Sequence, residues 1–375
     1  MSKIKRGISL YSYQQTQFFK ILDVWQQIQE VRENLKTDGI EIISETTIKG
    51  YPFPSNVWVD KWHETIEKYN MNAVTYDAHV DVLQFRDHLM DYDECADRLK
   101  RDLRIAKRLG FKIVRTHSSH KMEVMLKALR VAEEVDIPMA IEIHAPMSLY
   151  GPEATEVIEY VQKTGTKHLG IYPDFGIFQV RIQKPVEDWY LRQGCSSEVV
   201  VLAQKICDEN IINQIDPNLR QFNTASFYHE LINNGSISKD APPTLVKGLQ
   251  EYVNFIKAAL ENKIKPVEWD LFSWPFKMHI CTGKELVELA PYINGFHGKF
   301  YDMTEIPGQP GKYEDISIDY KTPIESLKKA GWEGYICSEN EGQRHYQDLS
   351  FEFYQDEIEQ ARRHHKMLAR LIEAG

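Results

Sequence analysis

No run of apolar residues in this chain approaches the roughly 20 needed to cross a bilayer, which predicts a protein without a membrane span. The opening segment, MSKIKRGISLYSY, leads directly into a strand-like run and lacks the apolar centre of a secretory signal. Cysteine is scarce. Cys95, Cys195, Cys207, Cys281 and Cys337 are odd in number and form no CxxC pair. That excludes a disulfide framework or a zinc ribbon, and it suits free thiols in a reducing compartment. A soluble, cytoplasmic protein is therefore expected. Basic clusters are missing too. The net charge is −10, with lysines and arginines scattered along the chain. This argues against nucleic acid or an anionic membrane as the main partner. There is no internal repeat and no low-complexity tract. The stretch SLYSYQQTQFF holds no glycine, so the phosphate loop of a dinucleotide-binding sheet is not present after the first strand-like run.

What the sequence does hold is an alternation of strand-like and helix-like segments. Strands are predicted at 4–12, 38–44, 72–80, 112–119, 138–146, 168–176, 293–302 and 334–342. Helices are predicted at 18–36, 56–69, 93–110 (ending on a glycine C-cap), 123–135, 151–162, 321–330 and 352–373. Repeated βα units imply parallel pairing. Eight of them fit a (β/α)8 TIM barrel of the α/β class, with an open doubly wound sheet as the alternative. At 375 residues, 42% of them hydrophobic, the chain is long for one domain but within reach of a barrel with insertions. Residues 1–375 are read as one barrel domain. The stretch 177–290 exceeds what one βα unit needs. It carries apparent helices at 197–208, 242–261 and 284–290, which predicts a helical insertion after the sixth strand. A long structured loop at that end of a barrel suits a lid or a subunit contact, with a decorative helical excursion as the plainer alternative.

Four polar residues sit near the C-terminal ends of four apolar runs. They are Glu142 in AIEIHAP, Asp174 in LGIYPDFG, His297 in INGFHGKFYD and Glu339 in GYICSENEG. Barrel active sites lie at that end of the strands. If the strands are neighbours, three carboxylates and an imidazole converge, and a bound dication offsets the cost of burying them. Such ligands favour Mn2+, Mg2+ or Co2+ over structural zinc. Any one of the four taken alone would more readily be ion-paired or a hydrogen-bonded core residue; the set on four strands points to a metal. Residues i and i+2 of a strand share a face. His144 therefore accompanies Glu142, Lys299 accompanies His297, Glu341 accompanies Glu339, Tyr172 accompanies Asp174, and Arg115 pairs with His117. His144 is the candidate base, since imidazole needs little tuning to act near neutral pH. The plainer role for His144 is orienting Glu142, and for Lys299 an ion pair with Glu339 or Asp174. Trp269, Phe272, Trp274 and Phe276 suit either ring stacking or ordinary packing. His364 and His365 are expected on the surface of the last helix.

The four strand-end motifs resemble those of the xylose-isomerase-like superfamily of sugar and sugar-phosphate isomerases, epimerases and dehydratases. The resemblance covers the barrel, about 1–176 and 290–375. It implies that Glu142, Asp174, His297 within HGKFYD and Glu339 within SENEG hold one divalent metal. Ketose epimerases of that superfamily carry a glutamate base on each of two metal-bearing strands, whereas here a histidine follows Glu142 at i+2. IEIHAP, the long insertion and SENEG are most similar to the large subunit of bacterial C-glycoside-cleaving enzymes, the C-deglycosidases. That likeness implies a Mn2+-dependent (or Mg2+- or Co2+-dependent) carbon–carbon lyase acting on 3-oxo-C-glycosides, in an oligomer with a small β-rich second subunit. It implies proton abstraction beside a metal-bound carbonyl, an enediolate and elimination. His144 would be the base. Lys299 and Glu341 would return a proton or bind a hydroxyl, and Arg115, His117 and Tyr172 would line the pocket. The alternatives are a sugar or sugar-phosphate isomerase, epimerase or dehydratase, and a non-catalytic barrel subunit of a complex. An endonuclease-type phosphodiesterase should show a multi-metal histidine cluster and a basic groove, which the acidic balance opposes.

Overall fold

In the computed structural model the described residues are 3–117, 120–208, 265–278 and 280–374. Eight parallel strands form the centre: β1 (Ile4–Ser9), β2 (Gly39–Ile43), β3 (Asn72–Ala78), β4 (Ile113–Thr116), β5 (Met139–Ile143), β6 (Leu169–Pro173), β7 (Phe296–Phe300) and β8 (Gly334–Asn340). Their order around the sheet is β6-β5-β4-β3-β2-β1-β8-β7. Two isolated parallel bridges, Ile171 to Ile293 and Asp174 to His297, link the edges at β6 and β7 and nearly close the barrel. MAIEI and LGIYP are buried at every position, the pattern of parallel strands covered on both faces.

The helices between the strands start and stop where local chemistry directs. Asp91 caps Tyr92–Leu109 with a reciprocal capping box to Glu94, and Gly110 ends that helix at φ 84°. The single helix predicted at 18–36 is two elements, Gln14–Phe18 and Val24–Glu33. Between them Lys20 adopts φ 57°. Asp23 then accepts from the Trp25 and Gln26 backbones and starts a new helix, because an aspartate at that point satisfies orphan N–H groups better as a cap than within a helix.

The region after β6 includes the helices Lys184–Arg192, Ser197–Asp208 and Pro266–Ser273. The helix expected at 242–261 lies outside the described residues, as do the side chains of Trp269, Phe272 and Phe276. Lys184–Arg192 leans on the loop after β8: Arg192 grips Asp348 at 2.9 and 3.0 Å, and Trp189 meets the His345 ring edge-on at 6.3 Å.

His364 and His365 correct the sequence reading. Both are buried in the helix Glu357–Glu373, on the stripe shared with Ala361 and Leu368. The Ser338 hydroxyl lies between them, 2.8 Å from His364 Nδ1 and 3.0 Å from His365 Nε2. Burial pushes His365 down to about 3. A polar residue with a buried partner looks like a surface residue in sequence, and here the partner is 26 positions away. All five cysteines are buried and free, as their pattern suggested. No helix among the described residues is long and apolar enough to cross a membrane.

One backbone approach fixes the loop that carries Glu341. A Cβ added at Gly342 would lie 1.8 Å from the Tyr301 carbonyl oxygen. Gly342→Ala is therefore expected to destabilise by about 2 kcal/mol or more, because backbone rather than a mobile side chain must yield. Thermal denaturation checks this, and a melting temperature equal to the parent's would contradict it.

Candidate metal centre

Strand register delivers the four expected ligands to one place. Glu142 is second from the end of β5, Asp174 directly follows β6 and bridges to His297 on β7, and Glu339 faces Lys299 across the β8–β7 pair. One ligand atom from each of Glu142, Asp174, His297 and Glu339 lies within 4.8 Å of every other, and all four residues are buried. His297 Nδ1 is 2.7 Å from Glu142 Oε1, 3.4 Å from Glu339 Oε2 and 3.7 Å from Asp174 Oδ2.

The electrostatics favour a cation. Burial alone would raise the Glu142 carboxyl, but Arg115 and His297 hold it well below the usual carboxylate range. The same opposition, with Lys299 as the main cation, keeps Asp174 low. Both are therefore ionised. Six buried carboxylates, Glu41, Asp77, Glu142, Asp174, Glu339 and Glu341, crowd this part of the barrel, and the basic side chains that pair with them are Arg115, Lys299, His297 and, at the edge, Arg344. Asp174 Oδ2 and Glu339 Oε2 accept no hydrogen bond although buried. The Lys299 ammonium is near them, at 2.9 and 3.2 Å, but pairs by charge without hydrogen-bond geometry. Two orphaned anionic oxygens facing an imidazole nitrogen are the donor set a hard divalent ion takes.

Each companion residue has a definite place. Arg115 reaches Asp77 at 2.7 Å and Glu142 at 2.6 Å. His144 is half-buried, and its Nδ1 lies 2.8 Å from the Ala145 carbonyl. A carbonyl only accepts, so Nδ1 carries the proton and Nε2 is the basic nitrogen of the neutral ring. The His117 ring is 5.6 Å from that of His144, and burial pushes it down to about 4, so it is neutral at pH 7. Lys299 is held far above its ordinary range: burial opposes the charge, but Asp174, Glu339 and Glu341 outweigh it. It is a fixed cation. Glu341, 3.7 Å from Lys299 and 3.0 Å from Arg344, is raised by its burial. Tyr172 is fully buried beneath the cluster and bonds Glu41. It supports the site from below and does not line the mouth, a correction to its reading as a pocket residue.

Two residues escaped the sequence reading. Glu41 of β2 lies 2.8 Å from His297 Nε2, and Asp77 of β3 is held by Arg115. Their only signal was an acidic residue inside the apolar runs DGIEIIS and NAVTYDAHV. Burial pushes Asp77 up to about 7 against the pull of Arg115, which already serves as its cation. Glu41, Asp77 and His297 form a second group able to hold an ion, and His117, Glu142 and His144 a third. Arg115 and Tyr172 already engage the carboxylates of the second group, and Arg115 takes Glu142 Oε2 in the third. The four-residue group is the best provided.

His297 has a carboxylate against each ring nitrogen. Burial opposes its charge, but Glu339 and Glu41 raise it well above the ordinary histidine range. A cation at Nδ1 must displace that proton. Affinity for a divalent ion is therefore expected to rise with pH, because the competing proton is lost as pH increases, with about one proton released per ion near neutrality. Calorimetric titration in buffers of different ionisation enthalpy measures this; pH-independent binding without proton release would contradict it.

No protein-family model matches the chain. It is 25% identical over 340 residues to the 3'-dehydrocarminate deglycosidase alpha subunit of Microbacterium sp, spanning 90% of this chain and 88% of that protein. It is 24% identical over 374 residues to a C-glycoside deglycosidase alpha subunit of Arthrobacter globiformis, spanning 99% and 93%. Among solved structures, L-ribulose 3-epimerase superposes with a TM-score of 0.50 at 11% identity, covering 100% of this chain and 95% of that one, a likeness of fold alone. The chain is thus similar in sequence, over most of its length, to C-glycoside deglycosidase alpha subunits, and similar in fold to a sugar epimerase.

Proposed function

We propose that this chain is the catalytic, metal-binding subunit of a carbon–carbon lyase that cleaves 3-oxo-C-glycosides in the cytoplasm, assembled with a small second subunit. The observation that carries the reading is the juxtaposition of the four-residue cluster with a histidine whose basic nitrogen is fixed by its neighbour's carbonyl. The relatives' names supply the substrate class and, through the words "alpha subunit", the partner.

Glu142, Asp174, His297 and Glu339 would hold a divalent ion, with Mn2+ favoured and Mg2+ or Co2+ alternatives. Bound there, such an ion supplies Lewis acidity that makes the C–H beside a sugar carbonyl more acidic. His144 Nε2 takes that proton. The electron pair it releases forms the new C=C bond of the sugar as the bond to the aglycone carbon breaks, and the aglycone carbon then takes up a proton. Glu341, a carboxyl raised by burial, suits that delivery. Lys299, locked as an ammonium by three carboxylates, is unfit as a base and suits binding a sugar oxygen. Arg115 steadies Glu142, and neutral His117 stands beside His144 as a hydrogen-bonding group for substrate. The described part of 177–290 borders the loop after β8 through Arg192 and Trp189, which supports a role for that segment as a wall over the mouth.

An epimerase is the second reading, favoured by the fold of L-ribulose 3-epimerase. Epimerisation needs a proton acceptor on one face of the sugar and a donor on the other, and Lys299, held as an ammonium by three carboxylates, gives up its proton too reluctantly to be that partner. The test is to incubate the Mn2+-loaded complex with a 3-oxo-C-glycoside and, separately, with ketoses. Release of free aglycone that stops on chelation is expected. Epimerised ketose without aglycone release would overturn the lyase reading.

A further inference from the structure

We infer that Glu41 is a positioning residue that aims His297 at the metal centre. The inference rests on the metal-centre reading above and adds to it a residue that none of the four ligand motifs contains.

The geometry is a chain of buried contacts running up through the barrel. Thr75 Oγ1 and Tyr172 Oη share a hydrogen bond of 3.1 Å. Tyr172 donates to Glu41 Oε2 at 2.7 Å. Glu41 Oε1 lies 2.8 Å from His297 Nε2. The Tyr172 ring packs edge-on against the imidazole at 5.1 Å. All four residues are fully buried, so water does not compete for any of these bonds. Only the opposite ring nitrogen, Nδ1, faces Glu142, Asp174 and Glu339.

A carboxylate can only accept from Nε2, so that nitrogen keeps its proton. When a cation displaces the proton that Nδ1 shares with Glu142, the lone pair of the ring is confined to Nδ1, the nitrogen on the ligand side. A carboxylate behind a ligating histidine fixes its tautomer, holds its plane and makes it a stronger donor. Glu41 itself is poorly placed as a ligand, since it lies across the ring from the other three carboxylates and Tyr172 occupies its second oxygen. Its place in the middle of β2, one layer deeper than the strand ends, is where a supporting residue belongs.

The test uses the full-length chain and Mn2+ itself as probe. Affinity is measured by calorimetry, and the nitrogen coupling of bound Mn2+ by electron paramagnetic resonance. Glu41→Gln is expected to weaken Mn2+ binding about 10–100-fold and to alter the nitrogen coupling, while the melting temperature without added metal stays close to that of the parent. Tyr172→Phe, which leaves the carboxylate but removes its anchor, is expected to weaken binding less. Should Glu41→Gln fail to fold, Glu41→Asp, which draws the charge back from Nε2, carries the same expectation. Parental Mn2+ affinity and unchanged nitrogen coupling in the Glu41 variant would overturn the inference. A parent chain that binds no Mn2+ would overturn the metal-centre reading beneath it, so the two failures are distinct.

Discussion

Glu142→Gln is expected to lower kcat/KM by about three orders of magnitude or more and to strip the bound ion, while the barrel still folds. Glu142 is the hinge of the site's charge. One oxygen lies 2.7 Å from His297 Nδ1 and the other 2.6 Å from Arg115. Glutamine keeps the shape and loses the anion. Arg115 does not become a stranded buried charge, because Asp77 still holds it at 2.7 Å. Lys299 and the remaining carboxylates keep their own pairings. The structural cost is therefore small, and the loss falls on ion binding. Metal analysis, steady-state kinetics on a 3-oxo-C-glycoside and thermal denaturation together check this. Parental turnover by a variant lacking the ion would contradict it.

The second large effect is expected at His144. His144→Ala should keep the ion, since His144 is outside the four-ligand group, yet lose about 10²–10⁴ in kcat, the range of a removed general base. With Nε2 as the proposed base and the Ala145 carbonyl holding the tautomer, added imidazole is expected to restore part of the rate. If His144 merely orients Glu142, the variant would instead lose Mn2+ affinity and imidazole would not help. Ion content and rescue by imidazole separate the two roles.

The order of these effects reflects what the sequence disclosed. The eight strands were legible because parallel strands covered on both faces are mostly apolar, and helices such as the one between Asp91 and Gly110 punctuate them. Glu142, Asp174 and Glu339 were legible because a charged residue ending an apolar strand is costly unless something at the barrel mouth uses it, and His297 because it is a polar residue within an apolar run, although it stands second in β7 rather than at its end. Glu41 stands in the middle of β2, where the expectation was a packed interior, whereas Asp77 is one place from the end of β3 and carries the same signal as Glu142; it went unread, and the partners Tyr172 and Arg115 were assigned to the mouth. His364 and His365 were misplaced for a related reason. Their partners, Ser338 and Tyr320, become neighbours only once the last helix packs on β8. Tertiary pairing of polar groups is the part of this site that one-dimensional pattern does not encode.

The central claim is that one divalent ion sits among Glu142, Asp174, His297 and Glu339. The most direct test is anomalous diffraction from crystals of the full-length chain soaked in Mn2+. The account predicts a single strong anomalous peak bonded to those three carboxylates and to His297 Nδ1, with Glu41 still on Nε2. A peak between His117 and His144, or no peak in the barrel at saturating Mn2+, would contradict it.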